Sequence, residues 1–510
     1  MKKIYKSITL VAAILSLSSC GNDWLDRKPA DGIPSEDAIT NYNDALTART
    51  GMYDGIQGNS NATSYYGARM FYYGDVRADD MQARTQGMRS SSCYEMLYTV
   101  DDAPNMWNIP YNVIRRANRL IEAINEKKVT DATEAQIGKI YSEALVVRAL
   151  VHFDLVRIYG MPYTADNGAS LGVPVIVKPL ERNDLPSRNT VAEVYTQVIT
   201  DLTDAINSGY LAKDQTPGYI NEWAAKALLT RVYLTKGDNE NALKVAEDII
   251  TNSPYKLWTN EEYVNAWYKS NGAHTNEMIF EVVNASNDDW TDRNGIAYLL
   301  NENGYADAIV TKSFMNMLSQ DPKDVRIGMV LPAQYDKDLQ EEYGDAKIFI
   351  NKFPADKDDV GEMRLNNLPL LRLSEVYLSA AEAAAKLGGH QDKAAKYLNE
   401  IVQRANPEAK AISEADATVE RIILERRKEM IGEGQRYFDA LRNNETIVRY
   451  KDEGDKGYHY SLIKESQSFD RTYFRAILPI PVDETNVNPC LLYTSPSPRD
   501  LCVSRMPSSA

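Results

Sequence analysis

Histidine and cysteine are scarce in this chain, with four of each in 510 residues. His152, His274, His390 and His459 have no second His or Cys three or four residues away, so the spacing of a zinc site is missing. Cys20, Cys93, Cys490 and Cys502 form no legible disulfide framework, and the core must hold by packing. A basic excess is also lacking. Lys and Arg number 57 against 72 Asp and Glu, a formal net charge of -15, which argues against nucleic acid or anionic membrane as the main partner. No Gly-x-Ser-x-Gly elbow and no phosphate-cradling glycine loop ending in Lys-Ser/Thr occurs, so no nucleophile with its base can be read. Asp288, Asp289, Asp292 and Asn294 faintly resemble a calcium loop but lack its alternation and closing Glu. No cofactor is expected.

Tyrosine is abundant, with 32 residues against 9 Phe. A phenol joins an apolar face to a polar rim, which suits wet surfaces and polar ligands such as sugars. The N-terminus carries a second positive signal. Lys2, Lys3 and Lys6 precede an apolar run from Ile8 to Leu17, followed by Leu17-Ser18-Ser19-Cys20, the layout of a bacterial lipoprotein signal. About twenty apolar residues are needed to span a bilayer as a helix, and this run is half that length. Cleavage before Cys20 would leave that thiol to carry lipid, anchoring the chain without spanning the membrane.

Residues 21–37, with Gly21, Pro29, Gly32 and Pro34, read as a tether, followed by a short helix from Glu36 to Ile56. From Gly58 to Asn105 the pattern breaks into Gly, Ser, Asn and clustered aromatics, expected to be loops with exposed rings. Trp107, Tyr111, Ile114, Leu120 and Ile124 recur at helical spacing, and Ile137–Tyr159 is apolar nearly all round, predicting a helix buried between neighbours. Thr190 and Glu193 predict a capping box opening a helix from Val191 to Asn207. Leu229, Tyr233, Gly237, Ala242, Ile249 and Pro254 fall at tetratricopeptide-repeat offsets within 221–254, and a looser copy spans 371–407. Residues 258–355 read as a large insertion of Asn-, Asp- and Gly-rich loops, with strand-like pieces at Met278–Val283 and Lys347–Ile350.

Several stretches together resemble the SusD/RagB family of glycan-binding lipoproteins. They are Leu371-Arg372-Leu373-Ser374-Glu375-Val376-Tyr377 through Ala383; Glu425-Arg426-Arg427-Lys428-Glu429 through Gly432-Glu433-Gly434-Gln435-Arg436 to Asp439; Arg148-Ala149 with Arg157-Ile158-Tyr159-Gly160; Trp107-Asn108 with Tyr111 and Arg116-Ala117-Asn118; and Pro479-Ile480-Pro481 with Asn488-Pro489. The resemblance implies a mostly α SusD-like fold with four tetratricopeptide-like helical hairpins, a loop-rich ligand face and few short strands. It divides the chain into a signal peptide at 1–19, an anchor and tether at 20–37, and one domain at 38–489 with insertions near 58–105 and 258–355. It also implies an outer-membrane lipoprotein facing the cell exterior, whose partner is a SusC-like TonB-dependent porter for which it acts as a lid. The likeness fails after Pro489, where residues 490–510 read as a non-native, disordered tail.

Glu425 and Glu429 lie one helical turn apart on one face, whereas a glycosidase needs two carboxyls facing each other across the bond. They are read as part of a structural ion-pair network locking the last helices. Aromatics off the helical periodicity, among Asn, Asp, Arg and Gly, are the candidate ligand contacts: Trp290 first, then Tyr66, Tyr73, Tyr94, Tyr298 and Tyr305, with Arg84 and Asp288 for hydroxyls. A glycan-binding protein without catalysis is the leading reading. A peptide-capturing protein of the same architecture and an anchored glycoside hydrolase remain open.

Overall fold

The computed structural model describes residues 38–58, 65–285, 295–354 and 362–494. Cys20 with the signal and tether, Trp290, Asp288 and the tail from residue 495 lie outside the described residues. Eight long helices build the scaffold: α1 Tyr42–Gln57, α2 Asn108–Asn125, α3 Glu134–Tyr159, α4 Val191–Asn207, α5 Glu222–Lys236, α6 Asn239–Asn252, α7 Leu373–Leu387 and α8 Gln391–Ala405. They pack in sequence pairs, α1 on α2, α3 on α4, α5 on α6 and α7 on α8, while α2 on α3 and α6 on α7 join the pairs laterally. The four expected hairpins are therefore present. Helices α9, Val419–Met430, and α10, Arg436–Arg442, follow and close against α7 and the short helix Arg69–Val76.

Local chemistry sets the helix ends. The predicted box at the start of α4 forms in full, Thr190 accepting from the Glu193 N–H and Glu193 reaching back, and Thr133 with Gln136 does the same for α3. Gly237 ends α5 at φ 85°, a left-handed conformation that disfavours a Cβ. Helix α1 starts at Tyr42 rather than Glu36, because Asn41 caps it through the Asp44 N–H. As expected, α3 is buried on nearly every face from Ser142 to Tyr159. Inside it, His152 is a satisfied core group, with Nδ1 3.0 Å from the Arg148 carbonyl and Nε2 accepting the Ile176 N–H. Burial lowers its pKa to about 3.

Strands are few and short, forming four antiparallel pairs among the described residues. Strand β1, Met81–Ala83, pairs with β3, Ala308–Val310, and β2, Met278–Val282, pairs with β6, Leu368–Arg372. Strand β4, Val330–Pro332, pairs with β5, Lys347–Ile350, and β7, Ile447–Val448, with β8, Ser468–Phe469.

Two expectations need correction. Residues 65–105 are not loops with exposed rings: Arg69–Val76 and Ser91–Glu95 are helical, and Tyr65, Tyr66, Phe71, Tyr72, Tyr73 and Tyr94 are all buried. The helix Arg69–Val76 is pressed against the loop before α10, where a Cβ on Gly74 would sit 1.9 Å from the Gly434 carbonyl oxygen. A helix buried on all sides shows no apolar periodicity, so the pattern was invisible. The second correction concerns residues 490–494, expected to be disordered. Pro489–Thr494 forms a 3-10 turn whose Leu491 is buried in the main core.

Glu425 and Glu429 sit inside an ion-pair network. Glu429 meets Arg372 at 2.9 Å, Arg404 at 2.7 Å and Arg326 at 3.3 Å, and Glu425 meets Arg421 at 2.7 Å. Glu433 is held by Arg372 at 2.8 Å and Lys352 at 2.6 Å. Burial alone would raise the Glu425 pKa, but Arg326 and Arg421 override it and bring it to about 2.

Removing one partner of a buried pair leaves an uncompensated charge, so Glu429→Ala should cost about 3–5 kcal/mol of stability in urea unfolding. Acid should destabilise the chain in two steps. A buried neutral His152 contributes stability above an unfolded pKa of about 6.5, lost as pH falls towards about 3. Glu425 contributes above an unfolded pKa of about 4.3, and that share disappears as pH falls towards about 2. An equal fall in thermal midpoint between pH 7 and pH 4 in the wild type and in His152→Gln would contradict the histidine step.

Candidate functional site

The β1–β3 pairing sets Met81 opposite Val310 and Ala83 opposite Ala308. The loop leaving β1 and the loop entering β3 consequently emerge side by side. Asp307 ties them together: its carbonyl accepts the Arg84 N–H at 2.9 Å, and its carboxylate accepts the N–H groups of Arg89 at 2.9 Å and Ser90 at 3.0 Å. A Cβ on Gly87 would come within 2.5 Å of that carbonyl oxygen, which explains a glycine at this close approach.

The loop entering β3 brings two rings together. The short helix Ile296–Leu300 carries Tyr298, and the chain turns back so that the Tyr305 N–H donates to the Tyr298 carbonyl at 2.9 Å. Gly304 makes the turn possible, since a Cβ there would lie 2.0 Å from the same oxygen. The rings of Tyr298 and Tyr305 meet edge to face, 4.9 Å apart at 74°. The Arg89 guanidinium lies 3.3 Å over the Tyr305 ring. Both tyrosines are half-buried.

A third loop, between β4 and the helix Lys337–Tyr343, joins the other two. Glu302 Oε1 accepts the N–H of Gln334 at 2.6 Å and of Asp336 at 3.1 Å, and also that of Tyr335. The Asp336 carboxylate caps the following helix through the Leu339 N–H and pairs with Arg84 at 3.1 Å. Two large side chains project outward here, Met88 at 81% exposure and Tyr335 at 71%. Half-buried rings with a cation and exposed rings beside polar side chains can hold a flat polar ligand through its C–H faces and its hydroxyls.

Of the residues singled out from sequence, Tyr298, Tyr305 and Arg84 are brought together on this face. Tyr66, Tyr73 and Tyr94 are not, and their expected exposure is corrected. Tyr66 packs 4.8 Å from Tyr65, Tyr73 lies 4.3 Å beneath the Arg77 guanidinium, and the Tyr94 hydroxyl is 2.6 Å from His459 Nδ1. Burial raises the pKa of all three phenols. Cys93 is buried nearby, its thiol pushed up to about 11 by burial, in line with an inert thiol. Trp290 and Asp288 fall outside the described residues, as does Cys20. Glu425 and Glu429 are buried at 1% and 0% exposure, so neither carboxylate faces solvent.

Sequence reading missed Tyr335, Arg89 and Glu302. The criterion that favoured Trp290, an aromatic with little apolar company, also fits Tyr335, which lies in Gln334-Tyr335-Asp336-Lys337-Asp338. Among the described residues, no three or more His, Cys, Asp and Glu are grouped to hold a metal ion.

Substitutions should separate core tyrosines from the candidate ligand rings. Among the described residues the Tyr73 hydroxyl is buried without a hydrogen-bond partner, so Tyr73→Phe should leave the thermal midpoint unchanged or raise it. Tyr94→Phe removes the bond to His459 and should cost about 0.5–1.5 kcal/mol. A midpoint lowered by Tyr73→Phe would reveal a partner for that hydroxyl.

Comparison with known proteins gives a consistent picture. A family model described as the SusD family matches residues 207–494, and one described as starch-binding, associating with outer membrane, matches residues 23–234. A SusD superfamily protein from Bacteroides thetaiotaomicron is 37% identical, with a TM-score of 0.81 over 88% of this chain and 99% of that one. Another from Bacteroides vulgatus is 35% identical, with a TM-score of 0.80 over 89% of this chain and 98% of that one. A SusD-like protein from Bacteroides ovatus is 26% identical over 482 residues, 86% of this chain and 83% of its relative.

Proposed function

The chain belongs to the SusD family, and we propose that it is a cell-surface lipoprotein that captures oligosaccharides and delivers them to a SusC-like TonB-dependent porter as its lid, without catalysis. The observation that carries this reading is the convergence of Tyr298, Tyr305, Arg89 and the exposed Tyr335 on one loop face of a helical scaffold. A protein that captures ligand needs an accessible rigid face, and loops held on packed helices supply one. The starch-binding description of the family model over the first half supports sugar as cargo.

Lipidation of Cys20 accounts for membrane attachment in this reading, and no helix among the described residues is long and apolar enough to cross a membrane. Absence of chemistry is supported by the state of Glu425 and Glu429. Arginines occupy both, and a general acid must instead reach the leaving oxygen. Trp290 and Asp288 remain proposed contacts, joined by Tyr298, Tyr305, Tyr335 and Arg84.

Tyr305→Ala, Tyr335→Ala and Trp290→Ala should each weaken glycan binding by roughly two- to tenfold, the worth of one aromatic contact of about 0.5–1.5 kcal/mol. Retarded migration in glycan-loaded native gels, followed by calorimetry on the retarding polysaccharide, measures this. Tyr335→Ala should leave the thermal midpoint nearly unchanged, because its ring is mostly exposed. Release of reducing sugar from any glycan would refute the non-catalytic reading. Binding to peptides and to no glycan would refute the sugar.

A further inference from the structure

We propose that Glu302 is the positioning residue of the ligand face, holding Tyr335 in its presented geometry; this rests on the glycan-binding reading above. Tyr335 is 71% exposed, so packing does little to fix its ring, and its place depends on where its backbone is held. One oxygen of Glu302 accepts three successive backbone N–H groups, from Gln334, Tyr335 and Asp336. Those donors would otherwise turn to water and leave the loop free to sample other shapes. Charge-assisted bonds to a carboxylate are among the stronger ones, and three converging on one atom leave the segment little freedom.

The placement of Glu302 in its own loop gives this contact its reach. It lies between Tyr298 and Tyr305, in the turn whose closure sets those rings 4.9 Å apart. Its carboxylate therefore registers the third loop against the ring pair. Asp336, the last of the three donors, extends the link: its carboxylate receives Arg84 at 3.1 Å from the loop leaving β1 and caps the helix Lys337–Tyr343. Glu302 thus joins the loop that presents Tyr298 and Tyr305 to the one that presents Tyr335, and Asp336 joins the latter to the loop leaving β1. Holding an exposed ring in place before ligand arrives spares the ordering cost at binding, a gain in affinity without a direct contact.

A double-mutant cycle tests this, with calorimetric affinity for the polysaccharide that retards the wild-type protein in native gels. Glu302→Ala should weaken binding about three- to tenfold, comparable to Tyr335→Ala, and the double variant should be no weaker than Tyr335→Ala alone. Glu302→Gln retains an accepting oxygen and should recover most of the affinity. Thermal midpoints of all variants identify any that fail to fold, and Glu302→Gln keeps the test decisive if Glu302→Ala does. Additive losses would overturn the proposal, as would wild-type affinity in Glu302→Ala alongside a loss in Tyr335→Ala. Unchanged affinity in both Tyr335→Ala and Tyr305→Ala would remove the ligand face itself, and the role of Glu302 with it.

Discussion

One buried carboxylate, Glu429, holds the end of the chain to its middle. It is fully buried, and Arg372 from the end of β6, Arg404 from α8 and Arg326 from the segment before β4 all point at it. Burying a carboxylate is unfavourable unless it is paired and hydrogen-bonded, and the same holds for each guanidinium. The arrangement therefore tolerates only folds in which three distant segments arrive together. Below it, Glu375 receives Arg231 from α5 and Arg426 from α9, while Asp439 of α10 receives Arg426 and Arg442. These pairs tie the last two hairpins and α9 into one body.

The network also reaches the candidate ligand face through a traceable path. Glu433 takes Arg372 and Lys352, and the next residue, Gly434, donates its N–H to Asp75 at 2.8 Å. Burial raises the Asp75 pKa to about 8, so this acid stays largely protonated at neutral pH. Arg436 then meets Asp79 at 2.8 Å, and Arg427 meets Asp80. Asp80 immediately precedes β1, whose far end releases the loop carrying Arg84 and Arg89. Paired charges on α9 and around α10 thus set the origin of β1, and β1 sets where the site begins. A loop that leaves such an anchored strand keeps its geometry without needing packing of its own.

Much of the fold was legible because its signals are local. Thr190 with Glu193, Gly237 after α5, and the repeat spacing of 221–254 each report on a few neighbouring residues, and each appears as read. Tyr298 and Tyr305, read as aromatics in polar company, are half-buried and pack edge to face. Tyr66, Tyr73 and Tyr94 met the same criterion and lie in the core. The Tyr73 ring sits under Arg77, four residues along the chain, so the polar company that made it look exposed includes a buried cation. Composition does not distinguish an arginine in water from one stacked on a ring.

The amino-acid sequence by itself determined the helical pairs, their caps, the family and the buried character of α3, because hydrophobic spacing and capping act over one or two turns of chain. Tertiary structure alone decided which tyrosines see solvent and that Glu302 gathers Gln334, Tyr335 and Asp336 from more than thirty residues away. Burial and long-range hydrogen bonds depend on which segments meet, and no local pattern records that meeting. Glu302 and Tyr335 become one feature only when β5, which pairs with β4 and packs beside β3, brings their loops together.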